Sequence, residues 1–174
     1  CGLVYANKAL PKKKLIEFYS SDAYRFFYNF IDSNSGLGED TYVDQQVNDK
    51  ISIYNSLSLI KKFFKNKKNE TVLELGCGYA QLSRSLNIEG RLIAVDYSRK
   101  AINYLKKKRI EAYQGGIEIL NKIKFKYDLI ILSHVVEHFY DFYDELAEII
   151  KYLNKDGVIY IEVPNLDSKY NLDQ

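Results

Sequence analysis

Residues 71–78 read Thr-Val-Leu-Glu-Leu-Gly-Cys-Gly, and this stretch decides the fold. A short apolar run, residues 71–75, leads directly into a turn that contains Gly76 and Gly78, and a second apolar run ends at Asp96. The pattern predicts a strand, a glycine turn, a helix, a second strand and an acid. Glycines let the backbone approach a ligand closely, and a carboxylate at a strand end accepts hydrogen bonds from a ribose. The stretch therefore indicates a pocket for a nucleoside-containing cofactor.

The details of the glycine turn argue against a dinucleotide. A dinucleotide fingerprint has a third glycine where this chain has Gln81. The carboxylate of Glu74, just before the glycines, would also repel a pyrophosphate. A cofactor with a cationic amino acid end and no phosphate suits the site better, and S-adenosylmethionine fits that description.

The stretch VLELGCGYA, which ends at Ala80, resembles motif I of the class I S-adenosylmethionine-dependent methyltransferases. IAVDYS, Ile93–Ser98, resembles the strand that carries their ribose-binding acid, and Leu153–Asn165 resembles their fifth strand. The resemblance covers Tyr42–Asn165. It implies an α/β fold with a Rossmann-like, doubly wound, mostly parallel sheet. A glycine turn in some other α/β protein is the alternative.

The resemblance implies S-adenosylmethionine as cofactor and gives roles to single residues. Gly76 and Gly78 would give backbone access, Glu74 would orient the turn and the cationic amino acid end, and Asp96 would hold the ribose. Six more predicted cofactor-binding residues lie in this turn or at other strand ends: Cys77, Tyr79, Tyr97, Gly116, Ile117 and Ser133. Of these, Tyr97 and Ile117 would flank the adenine.

The segment after the predicted third strand departs from the family pattern. Family members often have an acid there, which binds the adenine amino group, whereas this chain has the residues QGGI, 114–117. The adenine would then rely on backbone groups, on packing against Ile117, or on Glu118.

The segment SHVVEH, Ser133–His138, follows the predicted fourth strand. H-x-x-E-H is also the inverted zinc-protease signature, but that chemistry needs a helix presenting both histidines. The segment resembles the loop that lines the transfer site of methyltransferases. His138, and His134 as second candidate, are therefore the predicted catalytic residues, which would deprotonate the acceptor. Two alternatives remain: Glu137 and His138 orient local backbone, or both histidines and Glu137 bind a metal. Our main prediction is that the site binds no metal.

Alternating patterns after residue 70 predict strands separated by helices. The predicted strands are Thr71–Leu75, Arg91–Val95, Ile110–Tyr113, Tyr127–Leu132 and Val158–Val163. The predicted helices are Lys12–Ile31, Tyr42–Phe64, Tyr79–Leu86, Ser98–Lys108, Ile117–Ile123 and Phe139–Leu153. We divide the chain into an N-terminal extension, residues 1–41, and a methyltransferase core, residues 42–174. The family's final antiparallel strand pair would begin about where the chain stops, so we expect a C-terminally truncated core.

Composition limits the class of protein. The chain has 174 residues, of which 47% are hydrophobic, enough for one core. Its formal net charge of +2 gives no reason to expect a nucleic-acid partner. Two cysteines do not suggest a disulfide framework. The sequence shows no signal peptide and no apolar run of membrane-spanning length, which predicts a cytoplasmic protein without a membrane partner.

The acceptor is predicted from two further resemblances. Cys1–Asn7, CGLVYAN, and Glu162–Asn165, EVPN, resemble a branch that acts on sugars, nucleotide-linked sugars and surface glycans. Members of this branch often begin with a zinc ribbon, of which Cys1 would be a remnant. We therefore expect a small-molecule acceptor of this kind, with the tyrosine-rich segment Tyr19–Tyr42 as a lid. The alternatives are metal-assisted methylation of RNA or a quinone, and a cofactor-binding but inactive partner subunit.

Overall fold

A computed structural model describes residues 10–21, 50–64 and 69–165 of the chain. Three predictions lie wholly or mainly outside these ranges. They are the zinc-ribbon remnant at Cys1, most of the lid segment Tyr19–Tyr42, and the first turns of the helix predicted from Tyr42.

The centre of the fold is a parallel sheet of five strands in the order β3-β2-β1-β4-β5. The strands are β1 (Thr71–Leu75), β2 (Arg91–Asp96), β3 (Glu111–Gln114), β4 (Tyr127–Ser133) and β5 (Leu153–Glu162). This arrangement confirms the predicted Rossmann-like class I methyltransferase fold. The strand order reverses between β1 and β4, and such a switch point is where open α/β sheets bind ligands.

Helices connect the strands and cover both faces of the sheet. They are α1 (Lys12–Ser20), α2 (Lys50–Phe63), α3 (Gln81–Ser85), α4 (Arg99–Lys107), α5 (Leu120–Ile123) and α6 (Phe142–Ile150). Single 3-10 turns at Ile117–Ile119 and Val136–His138 precede α5 and α6. None of the helices in the described ranges is long and apolar enough to cross a membrane.

The hydrophobic core packs against both faces of the strand β4. β4 alternates between two clusters: Ile130 and Leu132 pack on one face with Ile149 of α6. Leu129 and Ile131 pack on the other face with residues of α2 and α3. All four of these β4 side chains are fully buried. The continuous apolar run predicted a strand covered on both faces, and the structure confirms it.

Several predicted boundaries are wrong. β5 begins at Leu153, five residues earlier than predicted, because Tyr127 pairs with Leu153 and a register shift follows, so that Leu129 pairs with Val158. The preceding helix is correspondingly shorter: α6 starts only at Phe142, where the Asp141 side chain accepts a hydrogen bond from the Asp144 N–H at 3.0 Å.

The first helix is also shorter than predicted. α1 ends at Ser20, because Ser21 adopts an extended backbone conformation, and residues beyond Ser21 lie outside the described ranges. The helix predicted over Ile117–Ile123 is a 3-10 turn followed by the short α5. The helices predicted over Tyr79–Leu86 and Ser98–Lys108 are present with ends one or two residues shorter.

Candidate functional site

A cavity of about 1000 Å³ opens at the carboxyl edge of the sheet. It lies over the switch point between β1 and β4, and every residue predicted to bind the cofactor or to act in catalysis lines it. These residues come from the ends of β1, β2, β3 and β4 and from the turns that follow. The parallel sheet thus brings together side chains that are far apart in the sequence.

The glycine turn after β1 depends on backbone conformations that favour glycine. Gly76 has φ +65° and Gly78 has φ +49°. A Cβ at Gly76 would stand 2.5 Å from Cγ2 of Val135, in the loop after β4. The two loops therefore touch at Gly76, and a side chain there would face both strain and a clash.

Asp96, at the end of β2, joins the glycine turn to the next helix. Its Oδ2 accepts a hydrogen bond from the Gly78 N–H at 2.7 Å, and its Oδ1 accepts one from the Ser98 N–H at 2.6 Å. A carboxylate has about four lone-pair sites, so both oxygens can accept further bonds from a diol. The acid lies at the cavity wall, where the sequence predicts the ribose.

Glu74 is buried beneath the glycine turn, with 5% of its surface exposed. Its Oε2 accepts hydrogen bonds from the backbone N–H of Ser83, at 3.1 Å, and from the Ser83 hydroxyl. Burial is the main cause that raises the pKa of this carboxyl from 4.5 to about 7. The carboxylate thus ties β1 to the first turn of α3 and fixes the orientation of the glycine turn.

Cys77 and Tyr79 belong partly to the core. Burial is the main cause that raises the pKa of the Cys77 thiol well above its usual value, and the residue packs with apolar side chains of α4. Tyr79 is 3% exposed and meets the ring of Tyr104 edge-on, with centroids 5.1 Å apart. Both residues line the cavity while shaping the turn from below.

The β2 and β3 ends form the part of the cavity predicted to hold adenine. Glu118 accepts a hydrogen bond from the Gly116 N–H at 2.8 Å and one from the Tyr97 hydroxyl at 3.4 Å. A Cβ at Gly116 would stand 2.2 Å from the Tyr97 hydroxyl oxygen. Burial, followed by the nearby Glu118 charge, raises the pKa of the Tyr97 phenol. Ile117 lines the same wall.

His138 lies at the opposite end of the cavity, after β4. Its Nδ1 is 2.8 Å from the hydroxyl of Tyr19, and the two rings have centroids 5.2 Å apart. Burial is the main cause that lowers the pKa of His138 below 6.5. The imidazole is therefore mostly neutral at pH 7, as a general base must be.

His134 is the more exposed of the two histidines. Its backbone has φ +54°, and its Nδ1 lies 3.6 Å from Oε1 of Glu137. The Nε2 of His138 lies 4.0 Å from the same oxygen. Within residues 10–21, 50–64 and 69–165, no group of three His, Cys, Asp or Glu side chains is arranged to hold a metal ion.

Residues 46–173 match the profile of a protein family described as "Methyltransferase domain". The match covers well over half of the chain. The chain belongs to this methyltransferase family.

Two curated relatives are similar to part of this chain, and one of them is named a methyltransferase. An uncharacterized protein of Methanocaldococcus jannaschii is 32% identical over 119 residues, which cover 67% of this chain and 50% of the relative. The ubiquinone biosynthesis O-methyltransferase of Pelagibacter ubique is 31% identical over 113 residues, covering 61% of this chain and 47% of the relative. The chain thus spans about half the length of these curated relatives.

Solved structures confirm the fold. The plantazolicin methyltransferase BpumL, solved in complex with a pentazolic substrate analogue and S-adenosylhomocysteine, has a TM-score of 0.62 to this chain at 19% identity. The match covers 91% of this chain and 63% of that one. At this identity the similarity supports the class I methyltransferase fold and nothing further.

Sequence reasoning placed Tyr19 at the start of a lid but missed its contact with His138 and the role of Lys12. Lys12 lines the cavity and pairs with Glu145 of α6 at 3.2 Å. Its partner is 133 positions away in the chain, so no local pattern could reveal the contact. The tyrosine-rich composition was the available signal, and it pointed to a lid without naming the residues that hold it.

Sequence reasoning also missed a cluster around Glu162, at the end of β5. The hydroxyls of Ser56, Ser133 and Tyr160 all donate to this carboxylate, at 2.9 to 3.1 Å. Only Ser133 was among the predicted site residues, although Ser56 and Glu162 line the same cavity.

Proposed function

We propose that the chain is the catalytic core of an S-adenosylmethionine-dependent methyltransferase that acts on a small molecule. The observation that carries the proposal is the hydrogen bond from the Gly78 N–H to Asp96, which joins the glycine turn to the acid predicted to bind the ribose. Family membership and structural neighbours solved with S-adenosylhomocysteine support it.

The cofactor would lie along the sheet edge. Tyr97, Ile117 and Glu118 would receive the adenine and Asp96 the ribose, while the amino acid end would extend past Gly76 toward β4. When bound, S-adenosylmethionine supplies an electrophilic methyl group on its sulfonium. The protein contributes mainly alignment, because holding donor and acceptor in line removes much of the entropic barrier.

His138 would remove the proton of the acceptor, with His134 as second candidate. Its lowered pKa keeps the ring neutral at pH 7, and its position beside Tyr19 places it at the cavity wall formed by α1. In this proposal α1 belongs to the N-terminal extension, residues 1–41, and carries Tyr19, the first residue of the predicted lid. It carries no buried residue and is held over the cavity by Tyr19 and Lys12.

The acceptor we propose is a sugar, on the basis of the EVPN segment Glu162–Asn165. The charge of the cavity refines this choice. Seven acidic side chains line it, among them Glu118, Asp144 and Glu145, and Lys12 is the one lysine or arginine among the described lining residues. Because carboxylates repel phosphates, a sugar without a diphosphate fits better than a nucleotide-linked one.

A second candidate is O-methylation of a quinone precursor. The observation in its favour is the 31% identity to a ubiquinone biosynthesis O-methyltransferase. The two candidates differ in the acceptor hydroxyl, which is aliphatic in a sugar and phenolic in a quinol.

Formation of S-adenosylhomocysteine by the full-length protein tests the proposal. The acceptor panel contains neutral sugars, nucleotide-linked sugars and a catechol, each with and without EDTA. We expect turnover with a neutral sugar, unaffected by EDTA. His138→Gln should lower kcat at least 100-fold while S-adenosylhomocysteine still binds, since general bases contribute about 10²- to 10⁴-fold. Turnover with catechol alone would favour the second candidate, and binding without any turnover would favour an inactive partner subunit.

A further inference from the structure

Glu162 is surrounded by hydroxyl groups from three elements. Ser56 of α2 donates to both of its carboxylate oxygens at 3.1 Å. Ser133 of β4 donates to Oε2 at 2.9 Å, and Tyr160 of β5 donates to the same oxygen at 3.1 Å. These bonds fix the position of the carboxylate, and Oε2 accepts three of them. Oε1 receives a bond from one of these hydroxyls, and a carboxylate oxygen has room for more than one donor.

The charge of Glu162 is not compensated by an ion pair within the described part of the chain. None of the salt bridges there involves this residue, although it lines the cavity. The hydroxyls contribute dipoles but no positive charge. A cationic ligand group would therefore gain both charge attraction and a charge-assisted hydrogen bond at Oε1.

The two other carboxylates near the glycine turn are engaged differently. Glu74 is buried, bonded to Ser83, and close to half-protonated at pH 7, because its pKa is about 7. Asp96 binds the backbone of Gly78 and Ser98 and lies where the ribose is expected. Neither is as well placed as Glu162 to meet a cation at the β4 end of the cavity.

The strand order gives the direction in which the ligand extends. Glu74 pairs with Ile131, which places Gly76 level with Ser133, and Ser133 itself pairs with Glu162. With neighbouring strands about 4.8 Å apart, the β4 end lies roughly 10 Å from β2, where Asp96 ends its strand. A ligand with its ribose at Asp96 and its adenine toward β3 would thus extend its other end toward Ser133 and the carboxylate of Glu162.

We propose that Glu162, held in place by Ser56 and Ser133, binds the ammonium group of the amino acid end of the cofactor. The inference rests on the proposed S-adenosylmethionine site and moves the cation-binding role predicted for Glu74 to a residue at the end of β5. Glu74 then has the structural task of orienting the glycine turn.

Two ligands that differ only at the amino acid end test this proposal. S-adenosylhomocysteine carries the ammonium group, whereas 5′-methylthioadenosine has the same nucleoside without it. Both are titrated calorimetrically into the wild type and Glu162→Gln, which keeps the size of the side chain and one acceptor oxygen but removes the negative charge. We expect the substitution to weaken S-adenosylhomocysteine binding at least tenfold and to leave 5′-methylthioadenosine binding within twofold.

Asp144→Asn is the matched control, because it removes one negative charge from another wall of the same cavity. It should change neither affinity by more than twofold. Equal losses of both ligands in Glu162→Gln, or no loss of either, would overturn the proposal, with melting temperatures showing that each variant is folded. If the folded wild type bound neither ligand, the proposed function itself would fail, and that outcome is distinct.

Discussion

The carboxylate of Asp96 accepts a hydrogen bond from the backbone N–H of Gly78 at 2.7 Å. This bond links the end of β2 to the turn after β1, two parts of the chain that are 18 residues apart. The acid that we propose to bind the ribose is therefore joined directly to the glycine turn. A change in the conformation of the turn should therefore shift the Asp96 carboxylate and weaken the binding of a ribose there.

Gly76→Ala should weaken binding of S-adenosylhomocysteine at least tenfold and lower the melting temperature. The new Cβ would meet Val135 at 2.5 Å, and φ +65° costs an L-residue about 1–2 kcal/mol. Calorimetry and thermal unfolding measure the two effects. Adding Val135→Ala relieves the clash but not the backbone strain, so the double variant should recover only part of the loss. Wild-type affinity in Gly76→Ala would contradict the geometry of the turn.

The ionisation of Glu74 should lower the free energy of unfolding as the pH rises from 4.5 to 7. Its folded pKa of about 7 lies above the unfolded value of 4.5, so the folded state holds the proton more tightly in this window. The free energy of unfolding should then fall by up to about 3 kcal/mol between the two pH values. Urea unfolding at pH 5 and pH 7.5 measures this change.

Glu74→Gln is the control for that titration. The amide does not ionise, so the variant should lose most of this pH dependence. The other groups that titrate in the window, including His138, contribute equally to both proteins and cancel in the comparison. The same slope in the variant as in the wild type would show that Glu74 titrates normally.

The pH profile of kcat/KM should have its acidic limb below pH 6.5. Burial lowers the pKa of His138, so the neutral ring persists to lower pH and activity is lost only when it gains a proton. Rates measured between pH 4.5 and 8 with the acceptor found in the panel test this. The limb should vanish from the residual activity of His138→Gln. A limb at or above pH 6.5 would point to a solvent-exposed group instead.

Tyr19→Phe should lower kcat without weakening the binding of S-adenosylhomocysteine. The substitution keeps the ring against His138 but removes the hydroxyl that lies 2.8 Å from Nδ1 and holds the imidazole. We expect a loss of about three- to tenfold in kcat, in keeping with the worth of one hydrogen bond. Lys12→Ala removes the ion pair of α1 with Glu145 and should affect KM for the acceptor more than kcat. The reverse pattern would assign Tyr19 to acceptor binding.

Sequence reasoning located those parts of the fold that depend on local residue types. The glycine turn and Asp96 are readable because a positive φ and a strand end require particular residue types. β4 was found because a strand covered on both faces of the sheet is a nearly continuous apolar run. The parallel order of the strands then places their ends at one edge, which is why every predicted site residue lines the same cavity.

Sequence reasoning failed where contacts join distant parts of the chain. The start of β5 depends on the pairing of Leu153 with Tyr127, and nothing local to Leu153 shows it. The contacts of α1 and the hydroxyl cluster at Glu162 are also long-range. Ser56 donates a hydrogen bond to Glu162, which lies 106 positions further along the chain. Ser56 looks like an ordinary helix residue in the sequence, and only the packed structure brings it to the cavity.

Calorimetric titration with S-adenosylhomocysteine, on the wild type and on Asp96→Asn, tests the central claim most directly. The substitution keeps the size of the side chain. It removes the negative charge and replaces one of the two oxygens that would accept bonds from the ribose with an amide group. We predict micromolar binding by the wild type and at least tenfold weaker binding by the variant, which should have a lower melting temperature, because it loses one of two backbone bonds, and still be folded during the titration. A folded wild type that binds no S-adenosylhomocysteine, or a variant that binds it equally well, would contradict the account.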